Sequence, residues 1–238
     1  MKKFLKNFFE KIEKPENQEK PLTDREILKK GWDTHSISLS NPTEGRALQE
    51  YEKQLNFNSQ ELHGKRILDI GSGIKDKFAR EIKELGIDAE VVSLSPDYSI
   101  DKYSKNVSVA FPEGKQIAGI GQSLPFADKS FDRVFALHVY EHIFSNDILL
   151  RMLGEMVRIL KPGGVAKIGP MEDIPGTFYP YKISTDDEKL RLLLEHNQAT
   201  LYQENMPESI MPKTKVKDNY GNAFYVSQYN IVITRKES

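Results

Sequence analysis

A carboxylate and two glycines, Asp69, Gly71 and Gly73, close the short apolar run Arg66-Ile67-Leu68-Asp69-Ile70. An acid at a strand tip accepts from an ammonium or a hydroxyl. Around Ser72 the side-chain-free glycines let backbone N–H groups approach a ligand at the mouth of the following helix, on which Phe78, Ile82 and Leu85 share a face. The pattern suits a nucleotide-like molecule. A dinucleotide fingerprint needs a third glycine three positions after the second, for close helix–strand packing. Asp76 stands there, which disfavours NAD. A second chemical cluster, His138-Val139-Tyr140-Glu141-His142, leaves the apolar run Val134-Phe135-Ala136-Leu137. Side chains at the carboxyl end of a central strand face the crevice where open α/β sheets bind ligands, and an imidazole of near-neutral pKa suits holding or deprotonating an acceptor. The plainer alternative is that His138 lines the cofactor while Glu141 and His142 orient the next loop. The chain has no cysteine, which removes thiolate sites and disulfides together. No metal site is read from the remaining residues.

These groups need an alternating scaffold. The apolar runs predict strands over Arg66–Ile70, Ala89–Leu94, Lys115–Ile120, Val134–Leu137, Val165–Pro170 and Ala199–Gln203, with Ala223–Val226 and Tyr229–Thr234 as a closing strand pair. Leu149, Met152, Leu153, Met156 and Leu160 form the stripe of a helix over Ile148–Leu160, ended by Lys161-Pro162-Gly163-Gly164. Ahead of the first strand, Leu48, Tyr51 and Leu55 mark a helix over Glu44–Leu55, and a capping box at Thr23–Glu26 opens a shorter one ending at Gly31. The order strand-helix-strand predicts a doubly wound sheet.

Four segments carry a family resemblance. Asp69-Ile70-Gly71-Ser72-Gly73 resembles the first motif of class I S-adenosylmethionine (SAM) dependent methyltransferases. Leu124-Pro125-Phe126-Ala127-Asp128-Lys129-Ser130-Phe131-Asp132 is similar to a segment of the subgroup that includes ubiquinone and menaquinone biosynthetic enzymes. His138–His142 and Leu160-Lys161-Pro162-Gly163-Gly164 resemble its later motifs. The resemblance implies a Rossmann-like class I methyltransferase fold: a mostly parallel seven-stranded sheet flanked by helices, with one antiparallel strand. Residues 1–60 would be an N-terminal helical extension or lid, and residues 61–238 the methyltransferase domain.

It also implies roles. Asp69, Gly71, Ser72 and Gly73 would hold the methionine end of SAM. Ser93, beside Leu94, occupies the position of the family's ribose-binding acid, with Asp97 as a possible substitute. Gln122, Ser123 and Leu124 would line the adenine, although Ile120 replaces the family's adenine-contacting acid. His138 would sit nearest the methyl, with His142 the second catalytic candidate. Trp32, His35, Tyr140, Tyr179 and Tyr181 are candidates to contact a small-molecule methyl acceptor. The losses at Ser93 and Ile120 leave a second reading open, a non-catalytic methyltransferase-like binding module.

Composition sets the outer bounds. With 38% hydrophobic and 29% charged residues over 238 positions the chain reads as soluble and globular, large enough for a substantial core. Thirty-four basic against thirty-five acidic residues give no global signature of nucleic-acid binding, so no nucleic-acid partner is expected. No apolar run approaches the roughly 20 residues that span a bilayer, and no apolar signal core follows the first lysines. A cytoplasmic protein is the expectation. Phe4, Leu5, Phe8, Phe9 and Ile12 share one face of a basic amphipathic segment over residues 1–13. That segment suits either peripheral membrane contact or packing on the protein's own surface. Oligomeric state is not specified.

Overall fold

The computed structural model describes residues 45–73, 75–99, 115–139, 146–172, 188–206, 214–217, 223–226 and 228–237. Seven strands form one sheet in the order β3-β2-β1-β4-β5-β9-β6. In chain order these are β1 (Lys65–Ile70), β2 (Ala89–Ser95), β3 (Lys115–Ala118), β4 (Phe131–Leu137), β5 (Leu160–Glu172), β6 (Ala199–Asn205) and β9 (Gln228–Arg235). Only β9 runs antiparallel, between β5 and β6. The chain winds outward from β1 to β3, returns to lay β4 on the other side of β1, and so opens a crevice beyond the carboxyl ends of β1 and β4. Ile67, Leu68 and Ile70 on β1 are all buried, as a parallel strand covered on both faces requires.

Helices α1 (Leu48–Gln54), α2 (Lys77–Glu84), α3 (Asn146–Ile159) and α4 (Glu188–His196) are described around this sheet. Leu48, Tyr51 and Leu55 sink into one core with Leu62, Ile67, Phe78, Ile82 and Phe135. Each such burial is worth about 1.5–3 kcal/mol. Tyr51 stacks on Phe78 with ring centroids 4.3 Å apart, and Phe78 meets Phe135 edge-on at 6.0 Å. The start of α1 is tied to α2, because the Leu48 amide donates to Glu81 Oε2 at 2.6 Å. Residues 48–62 are thus built into the core beneath the sheet's first strand.

Two expectations are corrected. Strand β5 begins at Leu160, opposite Phe131, and absorbs Lys161–Gly164 as a bulge before Val165 pairs with Arg133. The proline-glycine turn lies inside the strand because both ends of it still find ladder partners on β4. The closing pair also separates. Strand β8 (Ala223–Val226) pairs with β7 (Thr214–Lys217) in a sheet of its own, while β9 inserts between β5 and β6. The apolar Ile231, Val232 and Ile233 find a fully buried slot there, which a two-stranded ribbon does not provide.

Candidate functional site

The crevice is built by the tips of β1, β2 and β4. Asp69 pairs with Ser93 on one side and Phe135 on the other, so the motif carboxylate lies at the middle of the sheet. It is wholly buried. The Tyr51 hydroxyl on α1 donates to Asp69 Oδ1 at 2.7 Å, and Asp69 Oδ2 has no partner among the described residues. Burial, and then the nearby Asp76 charge, push this carboxyl up to about 8, although the Tyr51 hydrogen bond pulls the other way. Tyr51 is itself raised, by burial first and by Asp69 second.

Gly71 and Gly73 both take positive φ, 77° and 74°. The Gly71 amide donates to the Leu94 carbonyl at 2.7 Å, which locks the turn to β2. A side chain at Gly71 would meet Val139 Cγ2 at 2.5 Å, so that residue of the turn is confined to glycine by both backbone and space. Ser72 and Gly73 are buried. The Tyr98 hydroxyl reaches both, at 2.8 Å from Ser72 Oγ and donating at 2.9 Å to the Gly73 carbonyl.

At the β2 tip the Ser93 hydroxyl donates to Asp76 Oδ1 in a short hydrogen bond, and both side chains are buried. Asp76 opens α2 in the left-handed conformation, φ 50°. Its carboxyl is raised by burial, against the opposing hydrogen bond from Ser93. Leu94 is buried beside Ser93. Asp97 lies in the 3-10 turn Pro96–Ser99 that follows β2.

The segment after β3 holds Gln122 half-buried, Ser123 exposed and Leu124 buried. Ile120 forms an isolated bridge to Ser123. Arg158 of α3 fixes this segment from below: its guanidinium donates to the Leu124 and Phe126 carbonyls at 3.0 and 2.7 Å, to Asp128 at 2.8 Å and twice to Glu155. Glu155 Oε2 in turn accepts from the Leu124 amide at 2.8 Å. The hydrogen bonds from Arg158 to Glu155, then those to Asp128, raise the Arg158 pKa further.

His138 follows β4 with φ 56°, and its amide donates to the Gly169 carbonyl at 2.8 Å. Its Nε2 lies 2.7 Å from Gln54 Oε1. An amide oxygen only accepts, so in this contact Nε2 is the donor. Asn230 of β9 completes this corner, donating from Nδ2 to the Gln54 carbonyl at 2.7 Å.

Asp69, Gly71, Ser72, Gly73, Ser93 and His138 therefore come together towards the carboxyl ends of the inner strands β1, β2 and β4, while Gln122, Ser123 and Leu124 belong to the braced segment after β3. Trp32, His35, Tyr140, His142, Tyr179 and Tyr181, with residues 1–13, lie outside the described residues. Gln54, Tyr98, Gln116 and Arg158 are structural neighbours that no motif marks, while Tyr51 and Asp76 stood out only as a helix face and a missing glycine. Tyr51 and Gln54 were legible as one helical face, three residues apart, but their polar ends were not aimed by that pattern. Among the described residues there is no metal-binding cluster of His, Asp and Glu, and no helix long and apolar enough to cross a membrane.

Residues 68–168 match the family model of a methyltransferase domain. A probable methyltransferase of Aspergillus luteorubrus is 31% identical over 159 residues, which covers 61% of this chain and 52% of that protein. Norajmaline N-methyltransferase of Rauvolfia serpentina is 27% identical over 134 residues, covering 55% of this chain and 44% of its own length. The chain spans about half the length of these curated relatives. In structure it resembles phosphoethanolamine N-methyltransferase 2 of Haemonchus contortus, at a TM-score of 0.52 and 16% identity, over 92% of this chain and 61% of that one. It also resembles the 1,6-didemethyltoxoflavin-N1-methyltransferase of Burkholderia thailandensis, at a TM-score of 0.51 and 14% identity, over 93% and 94%. Both were solved with S-adenosylhomocysteine. The fold is the Rossmann-like methyltransferase fold, with its mostly parallel seven-stranded sheet and flanking helices.

Proposed function

We propose that this protein is a SAM-dependent methyltransferase acting on a nucleophilic O, N or C atom of a small-molecule acceptor. The observation that carries the reading is the buried Asp69 with one oxygen unpartnered, under a glycine turn at the switch point of the sheet. A buried polar atom left without a partner costs about 1–3 kcal/mol, and a ligand ammonium that displaces the carboxyl proton satisfies it. The residues present fit the cofactor in this respect. Bound SAM supplies a methyl carbon already activated by a positive sulfur. Asp69, with Gly71, Ser72 and Gly73, holds the methionine end. Ser93, Leu94 or Asp97 meets the ribose, and Gln122, Ser123 and Leu124 border the adenine. His138, its ring held at Nε2 by Gln54, orients the acceptor and takes its proton. The chain's main work is alignment and exclusion of water.

His142 assists His138, and Trp32, His35, Tyr140, Tyr179 and Tyr181 contact the acceptor. The similarity of residues 124–132 to the quinone-biosynthesis subgroup favours an apolar acceptor. The apolar residues Phe4, Leu5, Phe8, Phe9 and Ile12 favour one met at a membrane surface from the cytoplasmic side. Liposome co-sedimentation with and without residues 1–13 checks the membrane part: equal binding removes it.

Calorimetric titration with SAM and S-adenosylhomocysteine tests the reading. Micromolar binding that Asp69→Ala weakens tenfold or more, followed by methyl transfer in an acceptor screen, is the expected outcome. The neutral residues Ser93 and Ile120 at the positions of two cofactor-binding acids favour the second reading of a non-catalytic module. Absence of binding at millimolar ligand by a folded protein would establish that reading instead.

A further inference from the structure

We propose that helix α1 couples the two ends of the site, so that a ligand ammonium on Asp69 tightens the hold of Gln54 on His138. The proposal rests on the methyltransferase reading and gives Tyr51 and Gln54 a shared task as positioning residues. Three contacts place residues 45–54 along the crevice. At the start of this segment, Gly45 lies so close to the glycine turn that a Cβ there would meet the Ser72 carbonyl at 2.5 Å and the Lys77 amide at 3.1 Å. In its middle, the Tyr51 hydroxyl donates to Asp69 Oδ1 at 2.7 Å. At its end, Gln54 Oε1 lies 2.7 Å from His138 Nε2. Tyr51 and Gln54 are one helical turn apart, and residues so spaced are neighbours on a helix surface. Asp69 and His138 face them from adjacent strands, because Asp69 pairs with Phe135 of β4. A shift of α1 towards the sheet at one of these contacts is a shift towards it at the other.

The seat of α1 is set from outside. A helix of seven residues closes few hydrogen bonds of its own and takes its stability from packing. Here the Leu48 amide is tied to Glu81 of α2, Tyr51 stacks on Phe78, and the Gln54 carbonyl accepts from Asn230 of β9. The contact that differs between the empty and the occupied site is the one from Tyr51. Burial leaves the Asp69 carboxyl protonated at neutral pH, so in the empty site the hydroxyl donates to a neutral acid. Asp69 Oδ2 is buried and has no partner among the described residues. An ammonium arriving there sends the carboxyl proton to water and leaves a carboxylate. A hydrogen bond to an ionised acceptor is shorter and roughly twice as strong as one between neutral groups. Tyr51 is therefore drawn onto Asp69 when the site fills, and Gln54 is drawn with it onto His138. Coupling of this kind is reciprocal, so loosening Gln54 weakens the ligand.

The test is a calorimetric titration of the full chain with S-adenosylhomocysteine at neutral pH, for the wild type, Tyr51→Phe, Gln54→Ala and the double variant, with the imidazole nitrogen resonances of His138 followed to saturation. Gln54→Ala should weaken the ligand about five- to tenfold in the wild-type background, the size of a modest coupling between sites. In the Tyr51→Phe background the same change should cost about twofold or less, because the link is already cut. Saturating ligand should shift the His138 resonances of the wild type, and Tyr51→Phe should reduce that shift. A direct effect of the ligand on the ring is the same in both saturated proteins, so the difference reads the helix alone. Equal costs of Gln54→Ala in the two backgrounds would mark a merely structural role and overturn the proposal, as would a His138 response that is absent or undiminished in Tyr51→Phe. Should the double variant not fold, the His138 resonances of Tyr51→Phe decide. A wild type that binds S-adenosylhomocysteine without this coupling overturns this inference only; one that does not bind it overturns the methyltransferase reading as well.

Discussion

Asp69 couples the site to pH. Burial and the Asp76 charge raise it to about 8, whereas an aspartate in the unfolded chain titrates near 4. Between about pH 4 and pH 8 the folded chain keeps a proton that the unfolded chain has released. Stability from this group is thus fully present below about pH 4 and is lost as pH rises through 8. Asp76 is raised by burial too and acts with the same sign. The melting temperature of the ligand-free protein should fall between pH 5 and pH 8.5, and Asp69→Asn should flatten much of the slope; a rise over that range would refute the assignment. Tyr51→Phe should cost about 1–3 kcal/mol in urea unfolding, since it strips from a buried carboxyl the hydrogen bond it holds among the described residues. The identity and strand-tip position of Asp69 were legible in sequence. Its protonation was not, because that follows from how completely the packed fold buries it, against the pull of a hydroxyl 18 residues earlier whose position only the packing of α1 sets.

At the scale of elements, the segment from Gly121 to Ser130 looked in sequence like a family signature and in structure is an anchored strap. One guanidinium, nearly buried, binds two of its carbonyls and one of its carboxylates. Arg158→Ala should destabilise by about 3 kcal/mol or more by leaving Glu155 uncompensated, and should weaken S-adenosylhomocysteine binding as Leu124 loses its fixed position. Arg158→Lys should rescue little, because an ammonium cannot reproduce a fork that reaches four residues. Urea midpoints and calorimetry on both variants check this. The helix stripe predicted α3 correctly, yet Arg158 sits off the stripe and its role emerges only once β4 and the strap are in place. Tyr98 is the opposite kind of device. Its hydroxyl ties the 3-10 turn after β2 to Ser72 and Gly73, over the turn proposed to receive the cofactor. Tyr98→Phe removes the tie and should tighten nucleotide binding several-fold; a weaker variant would show instead that the hydroxyl contacts the ligand.

For the whole molecule, alternation of apolar runs with helical stripes was enough to read the parallel core, since each β-α unit is local. The last strand was not readable in the same way. Whether residues 228–235 pair with their sequence neighbours or cross the sheet to lie between β5 and β6 depends on contacts with residues far earlier in the chain. One such contact is Gly169. A side chain there would meet Asn230 Oδ1 at 1.9 Å. Asn230 is fully buried and its Nδ2 already holds the Gln54 carbonyl of α1, so it has no room to retreat. The same point in β5 supplies the carbonyl that fixes the His138 amide. Strand β9, helix α1 and the β4 tip thus meet through one position that only glycine satisfies. Gly169→Ala should destabilise the protein by about 3 kcal/mol through overpacking. Asn230→Ala on its own should also cost stability, through the lost link to Gln54. The double variant should be more stable than the sum of the two losses, because Asn230→Ala removes the atom that the new methyl strikes. Additive losses in a double-mutant cycle would mean that β9 is positioned by its apolar residues alone, and that the Gly169–Asn230 contact follows from the insertion instead of directing it.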